Sequence, residues 1–507
     1  KGSYIAALLQ HARSDADASV RQLAAVVLKR RVLTHWSALP PDHQSEFKNV
    51  LLEGIVTEPV PVVRRSIADV VSKVAKATVP LGAWNELPEF LAQCSASPEE
   101  GHRVVSFVLF ASLTETIVGT MTKHYATLGN LFTSGLGDSS LQVRVAALNA
   151  VLALAVNASG ESKDETAILN SLVVPVLAVA KNALELGEEK DGALAFEVFD
   201  ELVEQQPKAL TGHIELVVAF CLEVASSQDL DASTRRRALD VLSFLARHKP
   251  KALTKAKIIP SLIKAMCPLC GEPKESELYG EDESDTSNND TSTTEEELHV
   301  QTVAARLVDL LSLNAPSKYV LPEVLAFASS ALGDQTDSKK RHAGVAVLGI
   351  VAEGCAEGLE VLLPVITPAI INALLDESTN VRSAAAFALG QLAEWVNGSI
   401  DLHNQVLPHV FAALQNERNP KCLERLMYVL DSWLERLEED DIAPYVQPTL
   451  QIAYAAIDGE GTGHRTKEAS LGAVASAAAA FGKGMLPHLP SLLPRLEKCL
   501  FSVEDTD

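Results

Sequence analysis

The sequence predicts an all-α protein built as a solenoid of repeated helix pairs. Its 507 residues exceed what a single hydrophobic core usually organises, so the chain must contain several domains or an array. Hydrophobic residues make up 47% of the chain and aromatic residues only 5%, so Ala, Leu and Val supply most of the apolar surface. A short phrase also recurs at a nearly constant interval. Together these features favour a repeat array of stacked helices.

The recurring phrase is an acidic or Ser residue, then Val-Arg, then Ala three residues later and an aliphatic residue seven later. Clear copies begin at Asp17, Asp138 and Asp376. The position of the Arg, called here the Arg slot, falls at Arg21, Arg64, Arg103, Arg144, near Gly192, and at Arg235, Gln301, Arg341, Arg382, Leu423 and Thr466. Most intervals are near 41 residues. A period of about 40 to 47 residues holding two helices is typical of HEAT and armadillo repeats, so we predict an α-solenoid superhelix of about eleven HEAT repeats.

Each repeat is predicted to contain a first helix, A, and a second helix, B, which the phrase opens. The Asp or Ser before Val-Arg suits an N-cap, because its side-chain oxygen can accept from the unpaired amides of the first turn. The A helices carry Pro, which suits a first turn or bends a helix. These are Pro175, Pro260, Pro322, Pro364, Pro408 and Pro444. Neither helix can bury its apolar stripe alone, so neighbouring pairs must stack into a superhelix with a concave face.

Two side-chain types could be structural or functional. The repeated Arg is most simply a cap or a bridge between neighbouring repeats. The four Trp residues, Trp36, Trp84, Trp395 and Trp433, are usual inter-repeat packers. Trp395 and Trp433 are the candidates for exceptions, because they lie near the ends of B helices beside Glu394 and Asp431. An exposed aromatic ring with an acidic neighbour could hold a Lys or Arg stem on the concave face.

The charge of the chain indicates basic partners. The net charge is −23 and the pI is near 5.0, which argues against direct binding of nucleic acid or of an anionic membrane. One polar segment, residues 272–297, stretches the interval between Arg235 and Gln301 to 66 residues and carries eleven acids against Lys274. It could bind cargo or be a solvated linker. The acids of this segment predicted to bind cargo are Glu275, Glu277, Glu281, Asp282, Glu283, Asp285, Asp290, Glu295, Glu296 and Glu297.

No catalytic, cofactor or metal site is predicted. Cys267 and Cys270 form a C-x-x-C pair without the second pair that a zinc site needs, and we interpret them as ordinary buried thiols. The glycine-rich segment 459–464 lacks the Lys-Ser/Thr ending of a phosphate loop and is read as a turn. The seven scattered Cys residues favour a reducing compartment. No apolar run is judged to approach the length of a membrane span.

The stretch VRQLAAVVLKRRVLTHW, from Val20 to Trp36, resembles the N-terminal domain of importin-β-type nuclear transport receptors. FDELVE from Phe199 and VRSAAAFALGQLAE from Val381 resemble helices of the importin four branch, and residues 272–297 resemble the acidic loop of these receptors. The resemblance divides the chain into N-terminal repeats (1–271), the acidic loop (272–297) and further cargo-facing repeats (298–507). The start at Lys1 and the end at Asp507 suggest a fragment, corresponding to the N-terminal half of such a receptor.

The resemblance also implies partners and a function. It implies a monomeric import receptor that shuttles between cytoplasm and nucleus, with basic cargo such as core histones and ribosomal proteins on the concave face. It further implies nucleoporin phenylalanine-glycine repeats on the A helices and the GTPase Ran on the first B helices, where Lys29, Arg30 and Arg31 are the matching residues. The alternative is a HEAT scaffold that assembles enzyme subunits. An enzyme is the third class, and the chain offers no catalytic constellation for it.

Overall fold

The computed structural model describes residues 2–117, 125–160, 162–272, 299–459 and 462–502. Within these ranges the secondary structure is α-helix with short 3₁₀ turns, and the helices alternate as A and B members of eleven pairs before a final helix. The predicted all-α solenoid of about eleven repeats is confirmed. The chain divides into two compact units, residues 1–244 and 245–507.

The first unit contains the first six pairs, except that the last four residues of α12 run past its end at residue 244. Its A helices are α1 (Gly2–Ser14), α3 (Pro41–Thr57), α5 (Leu87–Ser95), α7 (Tyr125–Leu136), α9 (Lys163–Glu185) and α11 (Ile214–Ser226). Its B helices are α2 (Ala18–Trp36), α4 (Pro61–Thr78), α6 (Glu100–Ile117), α8 (Leu141–Asn157), α10 (Glu189–Glu204) and α12 (Ala232–His248). The B helices bury aliphatic and small residues on the faces turned to their neighbours, as Leu28 in α2 and Val71 in α4 do. Stacking of successive pairs therefore builds one continuous core within the unit.

The second unit contains the remaining five pairs. It begins with α13 (Pro250–Lys255), a short helix before the seventh pair. The A helices are α14 (Ile259–Leu269), α16 (Ser317–Leu332), α19 (Leu363–Ala373), α21 (His403–Asn416) and α23 (Glu439–Asp458), and α18 (Ala356–Glu360) precedes α19. The B helices are α15 (Val300–Asn314), α17 (Ser338–Ile350), α20 (Thr379–Trp395), α22 (Pro420–Leu434) and α24 (His464–Phe481), followed by α25 (Leu489–Ser502). Small residues allow close packing in this unit, because a β-carbon on Gly354 would lie 2.3 Å from the backbone of Ser312.

Proline lies where the sequence predicts, within or at the start of the A helices. Pro175 and Pro322 are inside α9 and α16, and Pro260 and Pro364 occupy the first turns of α14 and α19. In a first turn Pro costs no hydrogen bond, since the amide it lacks would be unpaired there. Pro260 and Pro364 therefore fit helix starts, and Pro175 and Pro322 mark points where α9 and α16 can bend.

The Arg slots form a ladder that joins successive repeats. Arg341 donates from Nε and Nη2 to Asp376 at 2.7 and 3.0 Å, and its Nη1 donates to the carbonyl of Asp334, which precedes its own B helix. The same bidentate arrangement joins Arg21 to Glu58, Arg103 to Asp138 and Arg382 to Glu417. The interpretation of the repeated Arg as a bridge between neighbouring repeats is confirmed at these slots.

The carboxylates of the ladder also organise the helix starts. Asp376 accepts from the amide of Ser378, and Asp138 accepts from the amide of Ser140 in the same way. Asp17 caps α2 as predicted, by accepting from the amide of Ser19. The prediction that the Ser residues cap is wrong, because neither Ser140 nor Ser378 makes a side-chain cap. The acid two residues earlier accepts instead, and it holds the Arg of the preceding repeat at the same time.

Two stretches are long and apolar enough to cross a membrane by length and composition, so the expectation that no run reaches that length is wrong. They are Lys163–Glu185 and His464–Cys499, with 44% and 28% of their apolar windows buried. The second is interrupted by the 3₁₀ turn Gly482–His488 between α24 and α25. In the first, which is α9, Leu169, Leu172 and Val176 are buried against the neighbouring repeats. Its apolar residues thus serve the core that the repeats share.

Candidate functional site

The candidate cargo site lies on α20 and α22, the B helices of the ninth and tenth repeats. Trp395 ends α20 and is 40% exposed, and Tyr428 on α22 is 38% exposed. The Tyr428 hydroxyl donates to Oε2 of Glu394 at 2.6 Å, which orients that carboxylate at the end of α20, one residue before Trp395. Burial raises the pKa of Tyr428, and the hydrogen bond to Glu394 raises it further. The phenol therefore remains a donor, and Glu394 remains an oriented acceptor one residue before the exposed Trp395.

A glycine makes this arrangement possible. A β-carbon on Gly390 would lie 2.7 Å from Cε1 of Tyr428, so the phenol ring packs directly on the backbone of α20. Arg436, which follows α22, donates from Nη1 to the carbonyl of Ala393 near the end of α20. The ends of α20 and α22 are thus held together by polar contacts on both sides of Glu394. We call Glu394, Trp395 and Tyr428 the aromatic–acidic surface.

Trp433 is not part of this surface, and its predicted role in cargo binding is wrong. The side chain is 1% exposed, and Nε1 donates to the carbonyl of Leu389 at 3.1 Å. It packs between α20 and α22, where no Lys or Arg stem can reach its ring. Trp84 is likewise 2% exposed, with Lys48 over its ring. Trp36 packs edge-on against Phe47, so the predicted packing role holds for Trp36 and Trp84.

Asp431 lies on α22 but faces the next repeat. It accepts a hydrogen bond from the hydroxyl of Ser476 on α24, and Gly472 leaves room for its carboxylate. Asp431 is half-buried, so part of its charge is already used in joining two repeats. Its contribution to a basic ligand would therefore be smaller than that of Glu394, which is exposed.

Two acids that the sequence reasoning missed extend the site to the seventh and eighth repeats. Glu353 follows α17 and stands twelve residues after the slot Arg341, as Glu394 stands twelve after Arg382. Asp309 on α15 has a raised pKa, because of burial and then because of the negative charge of Glu353. The equal offset from the Arg slot is a signal that aligning the repeats on that slot would have found. Carboxylates thus recur on or just after three successive B helices of the second unit, α15, α17 and α20.

The other predicted residues divide into those that the structure describes and those outside it. Lys29, Arg30 and Arg31 are exposed on α2, and Lys29 pairs with Asp69 of α4 at 2.8 Å. The ten cargo-binding acids predicted in the insertion, residues 275–297, lie outside the described residues. Cys267 and Cys270 are buried free thiols, and burial raises the pKa of Cys267 to about 12. In the described ranges no group of three or more His, Cys, Asp or Glu residues could hold a metal ion.

Comparisons with known proteins give the relatives of this chain. Residues 3–57 match the importin-beta N-terminal domain, residues 59–220 match the IPO5-like TPR repeats, and residues 338–392 match the HEAT-like repeat. Importin-4 from Homo sapiens is 28% identical over 414 residues, which is 80% of this chain and 37% of that protein. The probable importin subunit beta-4 of Schizosaccharomyces pombe is 26% identical over 490 residues, 96% of this chain and 44% of that protein.

Solved structures share the fold over nearly the whole chain. Kap121p superposes with a TM-score of 0.81 at 21% identity, covering 98% of this chain and 48% of that one. Kap121p bound to RanGTP gives 0.78 at 22% identity, with 98% and 47% covered. The chain spans less than half the length of these relatives. Its residues 3–57 thus match an importin-β N-terminal domain, and the chain is a homologue of importin-4 and other karyopherins.

Proposed function

We propose that this chain is a nuclear import receptor that binds basic segments of cargo proteins through its B-helix carboxylates. The observation that carries the proposal is the aromatic–acidic surface, where Tyr428 orients the exposed Glu394 and the next residue, Trp395, exposes its ring at the end of α20. A Lys or Arg stem can lie on an indole face while its charge meets a carboxylate. Homology to importin-4 supports the function, and a solved structure of Kap121p bound to Pho4p supports a cargo role for the fold.

The cargo we propose is a Lys/Arg-rich segment of a core histone or ribosomal protein. Glu353 and Glu394 stand at equal positions of neighbouring repeats, so a ladder of carboxylates can meet several cations of an extended peptide. A single exposed pair contributes only about 0 to 1 kcal/mol, so affinity must come from several pairs together with the aromatic contact. The net charge of −23 steers a basic segment toward the chain before contact.

A binding titration tests this proposal. A labelled histone-tail peptide should bind the full chain, and the variant Glu353→Gln/Glu394→Gln should weaken binding about tenfold at low salt. The matched control is Glu185→Gln/Glu204→Gln, which removes two exposed carboxylates from the first unit. Equal loss in both variants would mean that only net charge matters. No loss in either variant would refute the site.

The insertion is proposed as a second element of cargo capture. Its acids, tethered between α14 and α15, would raise the local concentration of a basic tail near Glu353 and Glu394. Replacing the acids of residues 275–297 by Ser and Gln should weaken peptide binding mainly at low ionic strength and leave helicity and melting unchanged. If affinity and its salt dependence stayed the same, the insertion would be a linker.

Release by Ran is proposed for the first B helices. A solved structure of Kap121p bound to RanGTP supports it, and Arg30 and Arg31 are exposed on α2. Arg30→Glu/Arg31→Glu should weaken the preference of the chain for GTP-loaded over GDP-loaded Ran, while Lys190→Glu/Lys208→Glu should not. Lys29 is left unchanged in this test because it pairs with Asp69. Equal binding of GTP-loaded and GDP-loaded Ran by the parent chain would refute the proposed release by Ran.

Passage through the pore is proposed to use nucleoporin contacts on the A helices, with shuttling between cytoplasm and nucleus. A solved structure of Kap121p bound to Nup53p supports a nucleoporin partner for this fold. The chain should accumulate at the nuclear rim of permeabilised cells and lose that signal when phenylalanine-glycine repeat peptides compete. A signal that persisted under competition would point to another mode of pore contact.

A further inference from the structure

The connection between the sixth and seventh repeats is strongly basic, against the charge of the rest of the chain. Residues 247–264 contain six Lys or Arg residues and no Asp or Glu, in a protein with 66 acids and 43 Lys and Arg. Arg247, Lys251, Lys255 and Lys257 are exposed. We call these four residues the basic surface. It belongs to the second unit, at the end of α12, along α13 and in the turn before α14.

These cations have no carboxylate partner within the described ranges, none lying within 4.0 Å of any of the four. Some exposed Lys and Arg residues elsewhere in the described ranges do have such partners. The pairs are Arg13–Glu53, Lys29–Asp69, Lys181–Glu223 and Arg237–Glu197, at 2.7 to 3.4 Å. Among the described residues, a chain with an excess of acids therefore leaves this run of bases, which no acid interrupts along the sequence, without a carboxylate partner. Mutual repulsion among them disfavours this arrangement unless an anion binds there.

Local structure explains only some of these bases. Arg247 and Lys255 occupy the last turns of α12 and α13, where a cation favours the helix dipole. Lys251 instead lies in the first turn of α13, where a cation is disfavoured. Lys257 has a φ of 58°, the left-handed region, and is the one residue other than glycine with positive φ among the described residues. A lysine there costs strain that glycine would avoid, which indicates a use for its side chain.

We propose that the basic surface binds an acidic segment, rich in Asp and Glu, of a partner protein. The ligand must be anionic, because the four exposed bases have no acid between them along the chain. Lys251 and Lys255 stand one helical turn apart on α13, so they present two charges on one face to an extended chain. Residues 245–264 contain no Phe, Tyr or Trp, the rings on which single-stranded nucleic acid stacks, and this favours a peptide over a nucleic acid.

This surface is separate from the proposed cargo site, which takes ligands of opposite charge. A receptor with both could hold a basic cargo and an acidic protein at once, each neutralising a different part of the chain. The inference does not rest on the proposed function. Failure of the basic peptide to bind at Glu394 would leave the acidic-segment test unaffected, because the two use different probes and different residues.

The test is a binding titration of the full chain with a labelled peptide of about 20 Glu residues, at low and at physiological ionic strength. Lys251→Glu/Lys255→Glu/Lys257→Glu should weaken binding about tenfold or more at low salt. The control Lys76→Glu/Lys190→Glu/Lys208→Glu makes the same change in net charge at three exposed lysines of the first unit, and it should retain most of the affinity.

A second variant separates binding from folding. Lys257→Gly removes one cation and relieves the left-handed strain, so the melting temperature should not fall while binding of the acidic peptide weakens about twofold to fivefold. Unchanged binding in both Lys257→Gly and the triple variant would overturn the proposal. Tighter binding of single-stranded DNA of equal charge would also overturn it. So would peptide binding that appeared only after the acids of residues 275–297 were replaced, because the insertion would then be the ligand of the basic surface.

Discussion

Removal of one rung of the Arg ladder should loosen the start of the next B helix. In Arg382→Met, the bidentate contact to Glu417 is lost while the apolar stem is kept. The side chains of Arg382 and Glu417 are only 23% and 6% exposed, so the carboxylate would be left poorly solvated. We expect the local opening of α22 to become easier by about 2 to 3 kcal/mol.

The pKa of Glu417 supports this magnitude. It is lowered from 4.5 to about 2, first by the hydrogen bond from Arg382 and then by the backbone amides of Asn419 and Arg418. A full shift of this size corresponds to about 3 kcal/mol, and the amides retain part of it in the variant. Because the folded-state pKa is the lower one, the stabilisation is present above pH 4.5 and is lost as the pH falls toward 2.

Hydrogen exchange at neutral pH measures the effect directly. Peptides spanning residues 417–434 should exchange about 30- to 150-fold faster in Arg382→Met than in the parent, the factor that 2 to 3 kcal/mol implies. The control Lys181→Met breaks the pair with Glu223, whose side chains are 55% and 65% exposed, and should change exchange in α9 and α11 by less than about threefold. Equal effects in the two variants would refute the reasoning that burial makes the ladder strong.

Three further outcomes follow from single sites. Trp433→Ala should lower stability by about 3 to 5 kcal/mol, whereas Trp395→Ala should change melting little and weaken basic-peptide binding; the reverse pattern would contradict the assignment of the two rings. Burial raises the pKa of Asp200 to about 8, so this carboxyl stays protonated in the folded chain up to that pH and ionises on unfolding. In urea melts, Asp200→Asn should therefore stabilise the chain more at pH 8 than at pH 5, by about 1 to 4 kcal/mol. An effect that did not depend on pH would contradict this assignment. Gly354→Ala should destabilise by more than about 2 kcal/mol through a backbone clash, while Gly463→Ala, with nothing within 4 Å, should not; equal melting temperatures would contradict the close approach.

The repeat period allowed the helix pairs to be predicted because every pair must bury the same faces. The sequence could also have excluded Trp433 from the site. It stands ten residues after the slot Leu423, as the buried Leu392 stands ten after Arg382. Trp395 stands thirteen after its slot, where the tenth repeat has Arg436. The acidic neighbour Asp431 led to the wrong prediction that Trp433 is exposed, whereas the position of a residue in the repeat decides whether it is buried.

Other features depend on contacts that no single phrase encodes. The hydroxyl of Tyr428 reaches Glu394 from the next repeat, 34 residues away, so its role in orienting that carboxylate needed coordinates. The acids that receive the slot Arg residues stand 35 to 37 residues further along the chain and are Asp in some repeats and Glu in others. The left-handed Lys257 is likewise a property of the turn between α13 and α14. These contacts join neighbouring repeats or turns, which a repeat pattern alone does not specify.

Photo-crosslinking from the aromatic–acidic surface tests the central claim most directly. A benzoylphenylalanine placed at Trp395 should crosslink to a bound histone-tail peptide, and the yield should fall as salt screens the carboxylates. The same group placed at Val365, which is 72% exposed on the A helix α19 of the same unit, should give no crosslink to that peptide. Crosslinks from Val365 without crosslinks from Trp395 would contradict binding of basic cargo at the B-helix carboxylates.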